Sequence, residues 1–504
     1  MNKLFNHQLN SNNIIFKFLV FFILIVYAYY TFQLNQYEIL FVDERVIIDD
    51  IYNIWLIDDP FNRFLDVENK LLQKIAIITT ELAYGGDLRY GRLWSNLFSL
   101  TVGPFTLLGD SFVITISRLL NIFLYFFSGY LLSKTFLKEN NRWLFLIAFY
   151  SIPGVDMYQR FPKSDVLALV FTSFALNFLV KKQYLKAILF MSIATFIKIN
   201  FIILYFTIFL FIFYRYKQKT KLVLKTFFIT IASLIIVNPI LLIPPITLFG
   251  IKLPNFYEIY LNWLISQGSY GQNKLIDSQR LFKWTEEIGE SFFISDNINF
   301  VFFVFLLSFS IFVLICSYSK RDYHSLLFAV TFFIYLFFYL FFIDRTFIWY
   351  LNLPFVLLLI ASFRNLERIK FKTVKILLLI FIFSGVFSNL YSHINDKKFV
   401  ANSMLGYENI PNSVSAINQL NETVNVLERI LLENNKKNTV YWNPNLFIPR
   451  NGITYNGDFY IRELWGVGEL ESLLDEDYVY VTNEMLSLKN INKFKIFNYI
   501  IYYK

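Results

Sequence analysis

Six carboxylates crowd into one short stretch of this chain, Phe41–Pro60, FVDERVIIDDIYNIWLIDDP: Asp43, Glu44, Asp49, Asp50, Asp58 and Asp59. The stretch follows closely on an apolar segment, Ile14–Phe32. Adjacent carboxylates at an apolar boundary cost desolvation energy, so a pair held there calls for a reason. One reason is chemistry. Asp43, supported by Glu44, has the character of a general base that takes the proton of an attacking hydroxyl. An apolar surround would raise its pKa and improve it as a base near neutral pH. The other reason is structural, because negative charge suits the first turn of a helix. Asp49, Asp50, Asp58 and Asp59 offer oxygen ligands that allow a divalent cation without requiring one, and their spacing matches no metal-binding loop. Asp58-Asp59-Pro60 reads as a helix end and turn.

Three further clusters carry charge between apolar runs. Asp156, Arg160, Lys163 and Asp165 share one short segment. Arg160 or Lys163 could hold a phosphate through charge-assisted hydrogen bonds, and Asp156 and Asp165 could simply pair with them. Asp165 also sits where it could cap the helix that follows. Lys198 interrupts an apolar stretch from Lys186 to Arg215. A charge at a helix centre there would cost roughly 2.5–3.5 kcal/mol, so Lys198 either snorkels from a turn at the surface or faces an anion. Asp344-Arg345, with Trp349, Tyr350 and Pro354 beyond, forms the last cluster. Its aromatic residues suit a membrane interface, and Arg345 suits a phosphate.

What must position these residues is a membrane scaffold. The 504-residue chain is 56% hydrophobic and holds 61 phenylalanines, with a mean hydropathy of +0.49. A soluble domain could not bury that much apolar surface. The net charge of +9 lies in short tracts between apolar runs, as in cytoplasmic membrane loops, which argues against a nucleic-acid partner. The lone Cys316 offers no disulfide or thiolate metal site, and His7, His324 and His393 are too scattered for a histidine metal centre.

The apolar runs predict about eleven transmembrane helices with the N-terminus inside. After the first helix come spans near Phe112–Phe136, Trp143–Met157, Asp165–Val180, Leu185–Ile197, Ile199–Tyr214 and Leu222–Ile243. Further spans follow near Phe300–Cys316, Leu326–Ile343, Phe347–Phe363 and Val374–Leu390. Two short helices turning at Lys198–Asn200 keep every basic tract inside, whereas one long helix would place Arg215–Lys221 outside. On this reading residues 1–391 form the membrane domain, with outer loops at 35–111 and 244–297. Residues 392–504 form a small extracytoplasmic α/β domain. There, Ser413–Asn434 has the apolar spacing of an amphipathic helix, and strands are expected at Thr439–Trp442, Asp458–Arg462, Tyr478–Val481 and Lys493–Tyr502.

Taken together, the clusters resemble the GT-C class of membrane glycosyltransferases, especially the protein O-mannosyltransferase and aminoarabinose transferase group. The resemblance rests on the acidic pair Asp43-Glu44 after the first helix, the charged loop Asp156–Asp165, Lys198 near a short-helix turn, and Arg345, Tyr350 and Pro354 before a late helix. The chain departs from it at Tyr90-Gly91-Arg92-Leu93-Trp94, where relatives carry a proline-rich element, and at Lys198-Ile199-Asn200, which replaces a more usual glycine.

The resemblance implies an inverting transferase that moves a sugar from a polyprenyl-phosphate donor to a lipid, glycan or protein acceptor. Asp43 and Glu44 would be catalytic. Lys198, Arg345, Arg160, Lys163, Asp156 and Tyr350 would bind the donor's phosphate or sugar. It further implies an integral protein of a bacterial inner (plasma) membrane, with its site facing the periplasm or exterior. A polysaccharide polymerase or ligase using lipid-linked glycans, and a transporter of such glycans, remain as alternatives.

Overall fold

The computed structural model describes residues 17–26, 28–29, 47–48, 50–51, 54–55, 69–84, 91–150, 152, 162–239, 247–248, 251–252, 299–342, 348–366, 413–437, 439–443, 460–463, 470–482, 485–488, 490–497 and 499–504. By its own contacts the chain divides into two compact units. One comprises Met1–Ala28, Leu82–Leu97 and Arg118–Tyr391, and the other Tyr29–Glu81, Phe98–Ser117 and Ser392–Lys504.

Up to residue 366 the described chain is mostly helical; residues 70–81, 98–102 and 110–117 fall in the second unit, and the helical residues 82–84, 92–97 and 118 onward in the first. After the apolar helix Lys17–Val26 come α1 (Lys70–Tyr84), α2 (Arg92–Val102), α3 (Asp110–Phe136), α4 (Glu139–Phe149), α5 (Ser164–Val180) and α6 (Tyr184–Ile197). They continue with α7 (Ile202–Arg215), α8 (Lys219–Val237), α9 (Asn299–Ser319), α10 (Tyr323–Phe342) and α11 (Asn352–Leu366). Among the described residues, three segments are long and apolar enough to cross a membrane: Phe112–Phe136, Lys219–Val237 and Tyr323–Phe341. Several shorter apolar helices accompany them. The expected set of about eleven spans is therefore supported only in part. The expected span Trp143–Met157 is a shorter helix, Glu139–Phe149, and Val374–Leu390 lies outside the described residues.

Burial on α8 runs opposite to that of a water-soluble helix. It turns Thr226 and Ser233 inward and leaves Leu224, Phe227, Phe228, Ile231 and Ile236 exposed. Such a surface suits hydrocarbon, where apolar side chains face out and hydroxyls pair inside. Ser233 donates to the Ile229 carbonyl, whereas the buried Thr226 hydroxyl has no partner among the described residues. In contrast, α5 is apolar nearly all round and buried, and packs on α6 with Phe171, Phe174 and Phe178 around the Phe190 ring.

The apolar stretch around Lys198 does break. Helix α6 ends at Ile197, Lys198 is extended (φ −146°, ψ 112°), and a 3-10 turn, Ile199–Phe201, leads into α7. Each flanking helix has 14 residues, about 21 Å at 1.5 Å per residue, well short of a bilayer's hydrocarbon core. A break exposes backbone groups that an apolar setting cannot leave unmade. Tyr335 of α10 deals with two of them. Its hydroxyl donates to the Asn200 carbonyl at 2.8 Å and accepts the Leu204 N–H at 3.3 Å.

Gly91 shows why the Tyr90–Trp94 element tolerates no larger residue at its second position. Its φ is +69°, and a Cβ there would strike the Val237 side chain. The next residue, Arg92, is buried, its N–H donating to Asn238 Oδ1 and its guanidinium reaching Asn96 and the Leu82 carbonyl.

The described C-terminal part of the second unit is a mixed sheet behind helix α12 (Ser413–Glu433) and the short α13 (Leu470–Asp475). Its strands are β1 (Thr439–Trp442), β2 (Tyr460–Glu463), β3 (Val479–Thr482), β4 (Asn492–Ile496) and β5 (Tyr499–Tyr503), in the spatial order β2-β1-β3-β5-β4. β1 runs parallel to β2 and β3, and the last two strands form an antiparallel hairpin. Lys493–Tyr502 is thus two strands and not the single strand expected. Ile496 pairs with Tyr499, and Phe497 takes a positive φ of 51° to turn the chain. On α12, Val424, Leu427 and Leu431 of the expected apolar stripe are buried, and so is Ile430; the side chains of Val414, Ile417 and Leu420 lie outside those described.

Candidate functional site

The N-terminus of α5 and the break at Lys198 meet. Asp165 stands in the first turn of α5, where its charge complements the helix dipole. It is not the cap: the N-cap position is Lys163, which makes no side-chain capping bond. The Asp165 carboxylate turns to Lys198 instead, with Oδ2 3.3 Å from Nζ. The pair is well enclosed, the two side chains being 5% and 15% exposed. Only half of the carboxylate is used. Asp165 Oδ1 is buried with no hydrogen-bond donor from the described residues.

Tyr339 of α10 sits at the middle of this cluster. The Asn200 side chain hydrogen-bonds its hydroxyl, and Asp165 and Tyr350 lie close enough to act on it electrostatically. Asn200 Oδ1 is itself buried and unpartnered, so it is the amide nitrogen that donates to Tyr339. The Tyr339 ring stacks on Tyr350 with centroids 6.1 Å apart and planes 15° off parallel, and on Tyr335 at 5.8 Å. Tyr350 belongs to the 3-10 turn Ile348–Leu351 that opens α11. Asn352, just beyond, donates to the Tyr125 hydroxyl at 3.2 Å, which in turn donates to the Phe149 carbonyl. Lys163 is buried and its backbone N–H donates to Asn121 Oδ1 at 3.3 Å.

Of the residues the sequence singled out, Lys198, Tyr350 and Asp165 come together and Lys163 stands two positions from Asp165. Asp43, Glu44, Asp156, Arg160 and Arg345 lie outside the described residues, as do Asp49, Asp58 and Asp59. Asp50 is buried. Among the described residues no three histidine, cysteine, aspartate or glutamate side chains gather as metal ligands. Cys316 is partly exposed on α9 and unpaired by any disulfide.

Sequence reasoning missed Tyr335, Tyr339 and, as a side chain, Asn200. Tyr335 and Tyr339 are four residues apart, hence on one face of α10. Two phenolic hydroxyls on one stripe of an otherwise Phe- and Leu-rich helix were the available signal.

The opposite end of α10 carries a second polar cluster. Arg364 grips Asp322 with two guanidinium nitrogens, Nε to Oδ2 and Nη2 to Oδ1, each at 3.0 Å. It also donates to the Phe136 carbonyl at 3.3 Å. Ser325 adds its hydroxyl and its backbone N–H to the same carboxylate. Burial is the largest influence on the Asp322 pKa and raises it, but the Arg364 charge and the hydrogen bonds from Ser325 and Arg364 together outweigh burial and hold the carboxyl below its ordinary value. Nearby, the guanidinium of Arg215 lies over the Phe211 ring at 4.1 Å and the Tyr323 ring at 4.9 Å. The ends of α3, α7, α10 and α11 are thereby drawn together around basic residues.

Compared with known proteins, the chain matches no protein-family model, no curated protein and no solved structure.

Proposed function

We propose that this protein is a membrane glycosyltransferase of the GT-C kind, moving a sugar from a polyprenyl-phosphate donor to an acceptor at the outer face of a bacterial inner membrane. The observation that carries the reading is the enclosed Lys198–Asp165 pair, half of whose carboxylate is unused, at a helix break inside an apolar helical unit. Ionisable groups in such a setting are costly and mark substrate sites more often than scaffolding. Tyr339 and Tyr350 beside them give the site the aromatic and hydroxyl character that a sugar phosphate needs.

In this mechanism the acceptor's hydroxyl oxygen attacks the anomeric carbon, and the bond from that carbon to the phosphate oxygen breaks. The phosphate leaves with the bonding electrons while Asp43, aided by Glu44, takes the hydroxyl proton. Lys198 stabilises the charge that grows on the phosphate, with Asp165 fixing the ammonium in place. Arg160, Arg345 and Lys163 supply further positive charge. A single displacement of this kind inverts the anomeric centre.

The test is incubation of the purified protein with a panel of polyprenyl-phosphate sugars and candidate acceptors, scored for release of polyprenyl phosphate. Asp43→Asn should insert and fold yet lose transfer, and full activity in that variant would remove Asp43 as the base. A second reading, a transporter of lipid-linked glycans, draws on the interrupted α6–α7 stretch, since broken helices commonly line transport sites. Movement of lipid-linked sugar across proteoliposomes without any turnover would select it.

A further inference from the structure

The two unpartnered oxygens at the site are both acceptors, and that fixes what they can take. Asp165 Oδ1 and Asn200 Oδ1 are each buried without a donor from the described residues. Both belong to side chains that address Tyr339, the first through its charge and the second through its amide. Asp165 as a whole is 4% exposed. A buried acceptor left unmade costs about 1–3 kcal/mol, and a carboxylate oxygen is the dearer of the two. The pair therefore selects for a partner rich in donors and poor in acceptor charge at that point. A phosphate has the wrong polarity for these oxygens, because it offers acceptors to acceptors. It belongs on the Lys198 side of the ion pair. A free metal cation fits poorly as well, with the Lys198 ammonium 3.3 Å from the same carboxylate.

We infer that Asp165 and Asn200 form a subsite for the vicinal hydroxyls of the donor's pyranose or furanose ring, and so read the sugar separately from its lipid phosphate. The inference rests on the glycosyltransferase reading. Hydroxyl donors reach Asp165 Oδ1 and Asn200 Oδ1, beside the Tyr339 hydroxyl that both side chains address. One side of the ion pair thus takes charge and the other takes hydroxyls. Preference for a sugar-bearing lipid over the bare lipid phosphate is the direct consequence. Each hydrogen bond lost to the ring hydroxyls should reduce that preference about tenfold.

The experiment uses the full chain in lipid nanodiscs and measures binding of undecaprenyl phosphate and of undecaprenyl-phosphate hexose by competition. The expected result is tighter binding of the hexose-bearing lipid by the unaltered protein. Asp165→Asn and Asn200→Ala should each reduce that difference about tenfold, while the bare lipid phosphate still binds. If Asp165→Asn fails to fold, Asn200→Ala carries the test, because Asn200 holds no charge partner. Equal binding of the two lipids by the unaltered protein, or an unchanged difference in both variants, would overturn the sugar subsite and leave the transferase reading standing. Binding of neither lipid would overturn both.

Discussion

Helix α10 carries a carboxylate–cation pair near each end, and the two are built differently. At one end both Asp322 oxygens and all three Arg364 guanidinium nitrogens are engaged, with each other, with Ser325 and with the Phe136 carbonyl. At the other, beside Tyr339, Asp165 and Lys198 touch through a single contact at 3.3 Å and leave an oxygen over. From Tyr323 to Tyr339 the helix rises about 24 Å, so the clusters cannot share partners. A pair that is complete has nothing to offer a ligand, and one that is half-used does. The first joins the ends of α3, α10 and α11 as a latch. The second is where binding is to be sought.

Breaking the latch should cost most. Arg364→Ala strands the Asp322 carboxylate and is expected to destabilise the protein by about 3 kcal/mol, read as a lowered unfolding midpoint in detergent. Arg364→Lys should recover only part of that loss, because an ammonium cannot reproduce the two-pronged grip. A double-substitution cycle on Asp322 and Arg364 should then give a coupling several times larger than one on Asp165 and Lys198. Equal couplings would erase the distinction drawn between the two ends.

Acid should act on the latch next. Against the opposing effect of burial, the Arg364 charge and the Ser325 bonds hold the Asp322 carboxyl below its ordinary value in the folded protein, so the unfolded chain binds that proton more readily. Its contribution is fully present above the unfolded value and is lost as pH falls through the folded one. Unfolding midpoints measured from pH 5 downward should drop less steeply in Asp322→Asn than in the unaltered protein. A smaller loss of stability is expected from Asp165→Asn than from Arg364→Ala, since the amide keeps an acceptor oxygen for the Lys198 ammonium and only one contact joins that pair. A loss as large as that of Arg364→Ala would show Asp165 to be a second latch.

Some of this was legible beforehand. The apolar runs gave most of the described helices to within a few residues, because a periodic apolar face is a local property. Lys198 could be placed at a break because a lone lysine in such a stretch has few affordable positions. The α12 stripe followed from spacing alone. The hairpin at Phe497 did not, since an aromatic residue is a poor marker of a positive φ and Asn498 was the sole turn signal there. Position along the chain favoured Asp165 as a helix cap, whereas it stands in the first turn and meets Lys198.

The sequence by itself determined an apolar helical protein with a small α/β part and a charge at an interrupted helix, all consequences of residue type and short-range order. Only the tertiary structure decided that Asp165 faces Lys198, that Tyr335 satisfies the backbone groups freed at Asn200, and that Tyr339 stacks on Tyr350. Those pairings join residues far apart along the chain, and no local propensity specifies them. They exist because broken helices in an apolar setting must find hydrogen-bond partners from whichever helix packs beside them.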